Sequence, residues 1–525
     1  MSNLFYSVLN SIFIAFFILL ILLILCFFVF KQFFLNKNVK TIKQKKANTL
    51  LINKNFCYDK ENNPFDEKMN FLELKQKLDF VLYDEKIKKI IIDVDKTSLT
   101  SVQIEELQPI FKKLNKEKEV IAIATLLTNE TYYLALLADK IYLENTINSS
   151  LILRGYSRKI TYFKDFFKKI GVRMNILHIG SYKAAGENYS RSKMSEPFKE
   201  NLKTLFDIRF KNFIDTIKER RNYDPTEDIL SGNLFFNSNK NLIDKRINKW
   251  ELLDNKKIVT IASYKFKKKK QQKNVIAIVS LDGTISEKEL SFEEVKKKVE
   301  KVNDIGTSLA GVILQINSPG GSAYESSLIY SYLKEKITVP LFVSMKDVCA
   351  SGGYYISCAA DKMFANKNTL TGSIGVVSMY PTFTKLTKNL GLNFDGLSIG
   401  KTTEYGNLYE NLTRETTEII IDHMKAVYKE FKTVVIKARH MSDNRLERIA
   451  QGRVWTGEQA YLNGLVDGIK NIDEVIEEMK KYLEIDKCSI YSIDKDFNLN
   501  KYVKSKLPLV TYASLLRTPI LLMID

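Results

Sequence analysis

The residues with the clearest chemical potential are a serine and the two glycines that follow it. The motif Ala350-Ser351-Gly352-Gly353 comes after the apolar segment LFVSM and before a helical pattern, which predicts Ser351 at a tight turn from strand to helix. A serine in such a turn is exposed, and the N-terminus of the helix favours negative charge on its attacking oxygen. Taken alone, the motif favours a serine that only caps the helix.

A second glycine pair ends an earlier strand of the same half of the chain. The run NSPGGS covers 317–322 and contains Gly320 and Gly321. Glycine allows close backbone approach and positive φ, so backbone N–H groups here can face a developing oxyanion. An ordinary Gly-Gly turn is the alternative for this motif on its own. The two motifs together favour Ser351 as a nucleophile.

Cysteine, histidine and metal chemistry fit the sequence poorly. Cys349 is the rival nucleophile, but it lacks a glycine pair directly after it and a nearby histidine, so burial in the core is its predicted role. The five cysteines form no C-x-x-C pair, which indicates neither a disulfide framework nor a zinc site. None of the three histidines lies beside a candidate nucleophile. The sequence therefore predicts no metal and no cofactor, and any base must be another residue type.

The chain contains an internal repeat. IIIDVDKTSLT at 90–100 matches VILQINSPGGS at 312–322, and Ala-Asp-Lys at 138–140 matches Ala-Asp-Lys at 360–362, both displaced by 222 positions. Two anchors with one displacement are hard to obtain by chance. The first copy has DKTSLT at 95–100 and TNET at 128–131 where the second has the glycines and the serine. The candidate nucleophile therefore belongs to the second copy alone.

Each copy is predicted to be an α/β domain. Short β-branched segments alternate with helical ones, which is typical of βαβ units around a mainly parallel, buried sheet. The like-charged run YKFKKKKQQK at 264–273 separates the copies. We therefore expect domains at 49–265 and 274–490, followed by a tail at 491–525.

The N-terminal region, 1–48, is predicted to be a membrane anchor. Residues 12–30 form an uncharged apolar stretch of 19 residues, long enough to cross about 30 Å of hydrocarbon as a helix. No small-x-small cleavage site follows it, so the anchor is expected to be retained. Lysines follow the stretch and none precedes it, so the positive-inside rule alone keeps the domains in the cytoplasm. The net charge of +19 fits a solvated surface or contact with anionic lipid, and no nucleic-acid module is recognisable.

Together these motifs resemble the long, duplicated form of bacterial signal peptide peptidase A. The resemblance rests on NSPGG, ASGGYY, TLTGSIGV at 369–376 and GRVWTGEQAYLNGLVDGI at 452–469, and it covers nearly the whole chain. It implies tandem Clp/crotonase-like domains built of repeated ββα units. It also implies a single-pass protein of the bacterial inner membrane, assembled as a homotetramer with its catalytic domains on the periplasmic side. The implied substrates are cleaved signal peptides and other hydrophobic peptides.

The resemblance also implies the roles of further residues. The family's base is a lysine of the first copy in a G-x-Y-K-[SA]-A pattern, which falls on Lys183 of GSYKAA at 180–185. Thr403 occupies the corresponding place in the second copy. Ser373 would accept a hydrogen bond from the lysine and aim it at Ser351. The oxyanion donors would be the N–H groups of Gly352 and of Gly320 or Gly321.

A lysine that acts as a base must have a lowered pKa. Lowering a lysine pKa from about 10.4 to 7 corresponds to roughly 4 to 5 kcal/mol, so burial must supply the shift and no carboxylate can lie close by. Glu187 is within helical reach of Lys183, and we expect its carboxylate to point elsewhere. Two alternatives stay open. One is a non-catalytic membrane scaffold of the same fold, and the other is a crotonase-type acyl-CoA enzyme, which needs no serine before Gly352.

Overall fold

The computed structural model describes residues 47–59, 67–236, 239–253, 257–266 and 272–493. In this part of the chain no helix has both the length and the apolar character needed to cross a bilayer. The predicted anchor at 12–30 and most of the predicted tail lie outside the described residues.

Strands and helices alternate along both copies. In the first copy the elements are β1 (Thr49–Ile52), β2 (Phe56–Cys57), β3 (Met69–Asn70), α1 (Phe71–Tyr83), β4 (Lys89–Asp93), α2 (Ser101–Glu117), β5 (Glu119–Ala124), β6 (Leu126–Thr128), α3 (Asn129–Ala135), β7 (Lys140–Glu144), β8 (Ser150–Ile152), α4 (Lys164–Ile170), β9 (Arg173–Ile179), α5 (Glu187–Ser190), α6 (Glu196–Arg221), α7 (Thr226–Leu230), β10 (Lys245–Ile247), α8 (Lys249–Leu253) and β11 (Ile258–Thr260). In the second copy they are β12 (Val275–Asp282), α9 (Phe292–Asn303), β13 (Leu309–Ser318), α10 (Ala323–Lys336), β14 (Leu341–Ala350), α11 (Gly352–Ser357), β15 (Lys362–Ala365), β16 (Leu370–Gly372), β17 (Val376–Thr382), α12 (Thr384–Asn389), α13 (Arg414–Arg439), α14 (Asp443–Ile449), β18 (Val454–Thr456), α15 (Gly457–Leu462), β19 (Gly468–Ile469), α16 (Ile472–Tyr482) and β20 (Ser489–Ile493).

Each copy forms its own mainly parallel sheet, as the alternating pattern predicts. The first sheet has the strand order β10-β7-β5-β4-β1-β11, and all its pairs are parallel. The second has the order β18-β16-β14-β13-β12-β20, with β15 and β19 branching from β14. Its only antiparallel pair within the described residues is β16 with β18. The α/β class and the duplication are thus confirmed.

The strands form because they are continuous apolar runs. The segments KIIID of β4 and VIAIVSLD of β12 are buried almost throughout, as expected for parallel strands covered by helices on both faces. One hydrophobic core extends from Ala47 to Tyr264, and a second from Ala277 to Ile493. A third cluster joins Leu72 of α1 to the second sheet. The two copies therefore share a packed interface.

One strand pair crosses from the first copy to the second. Strand β9 pairs antiparallel with β17 over seven residues, with Ile179 opposite Val376 and Arg173 opposite Thr382. This pairing was not predicted from the sequence. It carries the loop after β9, which contains the candidate base, onto the second copy.

Candidate active site

Ser351 occupies the turn between β14 and α11, where the sequence places it. Its backbone has φ 55° and ψ −121°, a conformation that few residues other than glycine adopt. Its side chain makes no capping hydrogen bond to the helix. Its N–H donates to the carbonyl of Gly372 at 2.8 Å, which fixes the turn against β16. The geometry thus favours a presented hydroxyl over a helix cap.

The surrounding glycines are required by close backbone approach. A Cβ on Gly320 would lie 2.6 Å from the nitrogen of Gly352 and 2.7 Å from Cβ of Ser351. A Cβ on Gly353 would lie 2.8 Å from the carbonyl oxygen of Ser318. Larger residues at these positions would displace the serine. The two glycine motifs therefore pack against each other around Ser351.

The candidate oxyanion donors differ in their availability. The N–H of Gly320 donates to Ser318 Oγ at 3.2 Å. Among the hydrogen bonds of the described residues, none uses the N–H of Gly321 or of Gly352. The backbone of Ile285 forms hydrogen bonds to the residues on either side of Gly321. Its N–H donates to the Gly320 carbonyl and its carbonyl accepts from the N–H of Ser322, both at 2.9 Å. The open donors are therefore those of Gly321 and Gly352.

Lys183 reaches the serine from the loop that follows β9. The backbone of this loop is fixed to the second copy, since the N–H of Tyr182 donates to the Gln451 carbonyl at 2.8 Å. The N–H of Ser181 donates to Gln451 Oε1 at 3.0 Å. Nζ of Lys183 lies 3.0 Å from Ser351 Oγ. The lysine and the serine, predicted from separate copies, therefore meet within one polypeptide.

Ser373 completes the surroundings of the amine. Lys183 Nζ donates to its carbonyl oxygen at 2.9 Å and lies 3.1 Å from its Oγ. Ser373 follows β16, which pairs with β14 so that Gly372 lies opposite Ala350. Its N–H donates to the Arg453 carbonyl at 2.8 Å. The hydrogen bond to the lysine is present as predicted, whereas Thr403 lies exposed in a loop at 401–406.

The surroundings of Lys183 lower its pKa, as a lysine base requires. Burial lowers the pKa of Lys183 from 10.5 to about 8, and no charged neighbour contributes to the shift. The carboxylate of Glu187 turns away, as expected. It accepts from the N–H of Ser195 at 2.8 Å, from its Oγ at 2.5 Å and from Tyr162 Oη at 3.3 Å. At pH 7 the free-energy cost of forming the neutral amine is therefore only roughly 1 kcal/mol.

Cys349 is not placed to act as the nucleophile. It is fully buried, and its Sγ lies 3.1 Å from Ser357 Oγ and 3.4 Å from the Gly353 carbonyl. Burial raises the pKa of its thiol to about 12. A thiol in this state is inert.

A cleft of about 390 Å³ opens beside the lysine. Its lining includes Ile176 and His178 of β9, and Ala184 and Ala185 next to Lys183. Ser190, Arg191 and Pro197 also line it. The cleft is lined by the first copy and offers both apolar and polar contacts to a bound chain.

Sequence reasoning missed a buried ion pair that joins the copies. Lys346 of β14 and Glu106 of α2 are both completely buried, with Nζ 2.5 Å from Oε1. Lys75 lies 3.6 Å from Glu106 and 2.7 Å from Asp473 of the second copy. Burial opposes ionisation of Glu106, but the ammonium groups of Lys346 and Lys75 outweigh it and hold its pKa below the usual value. The sequence feature that could have indicated this ion pair is Lys346, a lysine inside the apolar strand that leads to Ser351.

The fold and the site define a duplicated α/β protein in which a buried lysine of one copy contacts a serine at a strand-to-helix turn of the other. The chain belongs to peptidase family S49, whose model matches residues 112–257 and 334–486. The second of these segments contains Ser351 and Ser373, and the first contains Lys183.

Proteins with similar sequences are named as proteases or peptidases. Protease 4 of Haemophilus influenzae is 32% identical over 403 residues, which cover 69% of this chain and 65% of that protein. The chloroplastic serine protease SPPA of Arabidopsis thaliana is 26% identical over 81% of this chain and 68% of its own length. A putative signal peptide peptidase SppA of Enterococcus faecium is 30% identical over 42% of this chain and 65% of that protein. The match thus spans just under two thirds of the Haemophilus protein.

Proposed function

We propose that the chain is a serine endopeptidase in which Ser351 is the nucleophile and Lys183 the general base. The observation that carries this proposal is the 3.0 Å distance between Lys183 Nζ and Ser351 Oγ, with the amine buried and its pKa lowered to about 8. A neutral amine at this distance can accept the hydroxyl proton as the oxygen attacks.

The proposed reaction uses the residues in turn. Oγ of Ser351 attacks a peptide carbonyl carbon while its proton passes to Lys183 Nζ. The N–H groups of Gly321 and Gly352 stabilise the oxyanion that forms. The resulting ammonium gives its proton to the leaving amine, which breaks the peptide bond and leaves an acyl-enzyme. The neutral lysine then takes a proton from water as the water oxygen attacks the ester carbonyl, and the ammonium returns this proton to Ser351 Oγ as the ester bond breaks and the carboxylic acid product leaves. Ser373 is the proposed positioning residue for the amine.

The proposed substrates are signal peptides left after protein export and other hydrophobic peptides. The name of the Enterococcus relative supports this class. An anchor at 12–30 would hold the site near the bilayer, where such peptides remain. A Clp/crotonase-like fold for each copy, attachment to the bacterial inner membrane with the domains on the periplasmic side, and a homotetramer belong to the same proposal.

A fluorophosphonate probe tests the proposal on the full chain in detergent. It bonds to an activated serine, so we expect labelling of the wild-type chain that Ser351→Ala abolishes and Lys183→Met reduces by at least 10³-fold. Ser357→Ala is a matched control, because this buried serine ends the helix that follows Ser351 and its hydroxyl hydrogen-bonds with Cys349 Sγ and the Gly353 carbonyl. An unlabelled wild-type chain would favour the non-catalytic scaffold or the acyl-CoA enzyme.

A further inference from the structure

The segment 451–453, just before β18, contacts both the loop that contains Lys183 and the turn that contains Ser373. The carbonyl of Gln451 accepts from the N–H of Tyr182 at 2.8 Å, one residue before the lysine. The carbonyl of Arg453 accepts from the N–H of Ser373, also at 2.8 Å. This short segment of the second copy therefore connects the proposed base to the serine that accepts its hydrogen bond.

The turn at Gln451 and Gly452 brings this segment close to the lysine. Both residues have positive φ, 57° and 76° respectively. A Cβ on Gly452 would lie 2.6 Å from the backbone nitrogen of Lys183 and 2.6 Å from its Cβ. The N–H of Gly452 donates to the Ile374 carbonyl at 2.7 Å, so the turn is itself fixed to the residue after Ser373. The backbone of the lysine thus lies directly against this turn.

The side chain of Arg453 extends from the turn to the first copy. Its guanidinium lies against two aromatic rings, with Cζ 4.7 Å from the ring centroid of Tyr182 and 4.6 Å from that of Trp455. Its Nη1 also donates to Tyr182 Oη at 3.3 Å. A planar guanidinium can stack on aromatic faces and donate several hydrogen bonds at once, which an ammonium cannot. Arg453 therefore makes two kinds of contact with the residue that directly precedes Lys183.

Glu200 of α6 completes a closed set of three side chains. Its Oε1 lies 3.0 Å from Nη2 of Arg453, and its Oε2 accepts from Tyr182 Oη at 3.1 Å. The carboxylate balances the charge of the guanidinium. No charged neighbour contributes to the lowered pKa of Lys183. Any effect of Arg453 on the lysine must therefore act through position and burial, not through the charge of the arginine.

We propose that Arg453 is a positioning residue for the base, whose guanidinium holds Tyr182 in place and thereby keeps the amine of Lys183 beside Ser351. This inference rests on the proposed function, because it assigns Arg453 a part in the same reaction. Without the guanidinium, the backbone bond from Tyr182 to Gln451 remains but the side chain of Tyr182 loses its contacts with the second copy. Water then reaches the amine more easily, and its pKa rises towards the ordinary value of a lysine.

Peptide hydrolysis by the full chain in detergent tests this role, with a fluorogenic peptide as the probe. For Arg453→Met we expect the midpoint of the pH profile of kcat/KM to lie roughly one pH unit above that of the wild type. At pH 7 kcat should fall by at least about tenfold, with KM changed by less than about twofold. Arg453→Lys keeps the positive charge but not the planar contact with the rings, so it should show a similar loss. A wild-type midpoint and kcat in Arg453→Met would overturn the proposal.

Arg221→Met is the matched control for the loss of a largely buried arginine. Its side chain is 9% exposed, compared with 19% for Arg453, and it also forms an ion pair, with Asp244 at 2.9 Å. Its Nε donates to the Asn241 carbonyl at 3.0 Å, so these contacts lie within the first copy. Arg221→Met should lower the Tm without moving the midpoint of the pH profile. An equal shift of the midpoint in both variants would reflect a general loss of stability and would overturn the proposal.

A double variant tests whether the effect passes through Tyr182. Tyr182→Leu removes the ring and the hydroxyl that Arg453 contacts, so the two single variants break the same interaction. The combined variant should therefore lose no more activity than the weaker of the two single variants, whereas losses that multiply would contradict the proposal. Failure of the proposed function is distinguishable, because the wild-type chain would then show neither hydrolysis nor fluorophosphonate labelling. That result would overturn both proposals, whereas failure of the positioning role alone leaves the wild-type activity intact.

Discussion

Lys183 Nζ lies 3.0 Å from Ser351 Oγ, although 168 positions separate the two residues in the sequence. The contact depends on β9 crossing to pair with β17 and on the loop at 180–183 binding the backbone of Gln451. Three oxygens surround the amine, and all belong to serines of the second copy. Each half of the duplicated chain therefore contributes a part that the other lacks.

The proposed base predicts how peptide hydrolysis depends on pH. Only the neutral amine accepts a proton, and burial lowers the pKa of Lys183 to about 8. We expect kcat/KM to rise about tenfold per pH unit below this value and to level off above it. The measurement is a pH profile with a fluorogenic peptide. A flat profile between pH 6 and pH 9 would contradict a lysine base.

The same lysine is predicted to destabilise the folded chain at neutral pH. Its unfolded pKa is 10.5 and its folded pKa about 8, so the unfolded state binds more protons between these values. The penalty, about 3 kcal/mol, is complete below pH 8 and disappears as the pH rises through 10.5. Lys183→Met should therefore raise the Tm at pH 7, with a smaller gain at pH 10. Thermal unfolding of both chains at the two pH values measures this, and a lower Tm at pH 7 would contradict it.

Gly320→Ala is predicted to inactivate the protein by displacing Ser351. The added Cβ would collide with the Gly352 nitrogen and with Cβ of Ser351. A shift of about 1 Å in a reacting group can reduce the rate about 10²-fold, so we expect kcat to fall at least that far. Gly306→Ala is the matched control, because Gly306 has φ +69° but open space around its Cβ position. Equal losses in both variants would point to general backbone strain.

The buried pair of Glu106 and Lys346 is predicted to hold the two copies together. Lys346→Met leaves a carboxylate in the interface and should lower the free energy of unfolding by about 3–5 kcal/mol. Adding Glu106→Leu should recover a large part of this loss, because no uncompensated charge remains. Thermal unfolding of the single and double variants measures the coupling. The control is the exposed pair Lys203–Asp207, for which the same set of single and double variants should give a coupling energy below about 1 kcal/mol. Additive losses of stability at Glu106 and Lys346 would contradict the prediction.

The fold class and the local setting of the serine could be predicted from the sequence because both depend on short-range patterns. The apolar runs of β4 and β12 specify buried strands, and the repeat specifies two copies. The glycines after Ser351 and at Gly320 indicate close backbone approach, which the structure confirms. Lys183 was assigned by family resemblance, since its own segment contains no feature that distinguishes it from other surface-like lysines.

The sequence by itself determined that one copy would carry the serine and both glycine pairs, because a strand-to-helix turn is set by residues adjacent in the chain. Only the tertiary structure decided that Lys183 would be buried beside Ser351. Burial and distance depend on β9 pairing with a strand about 200 positions away and on ion pairs between the copies, and such long-range contacts leave no periodic trace in the sequence. The pKa of the lysine follows from that burial, so its proposed chemistry is a property of the assembled fold.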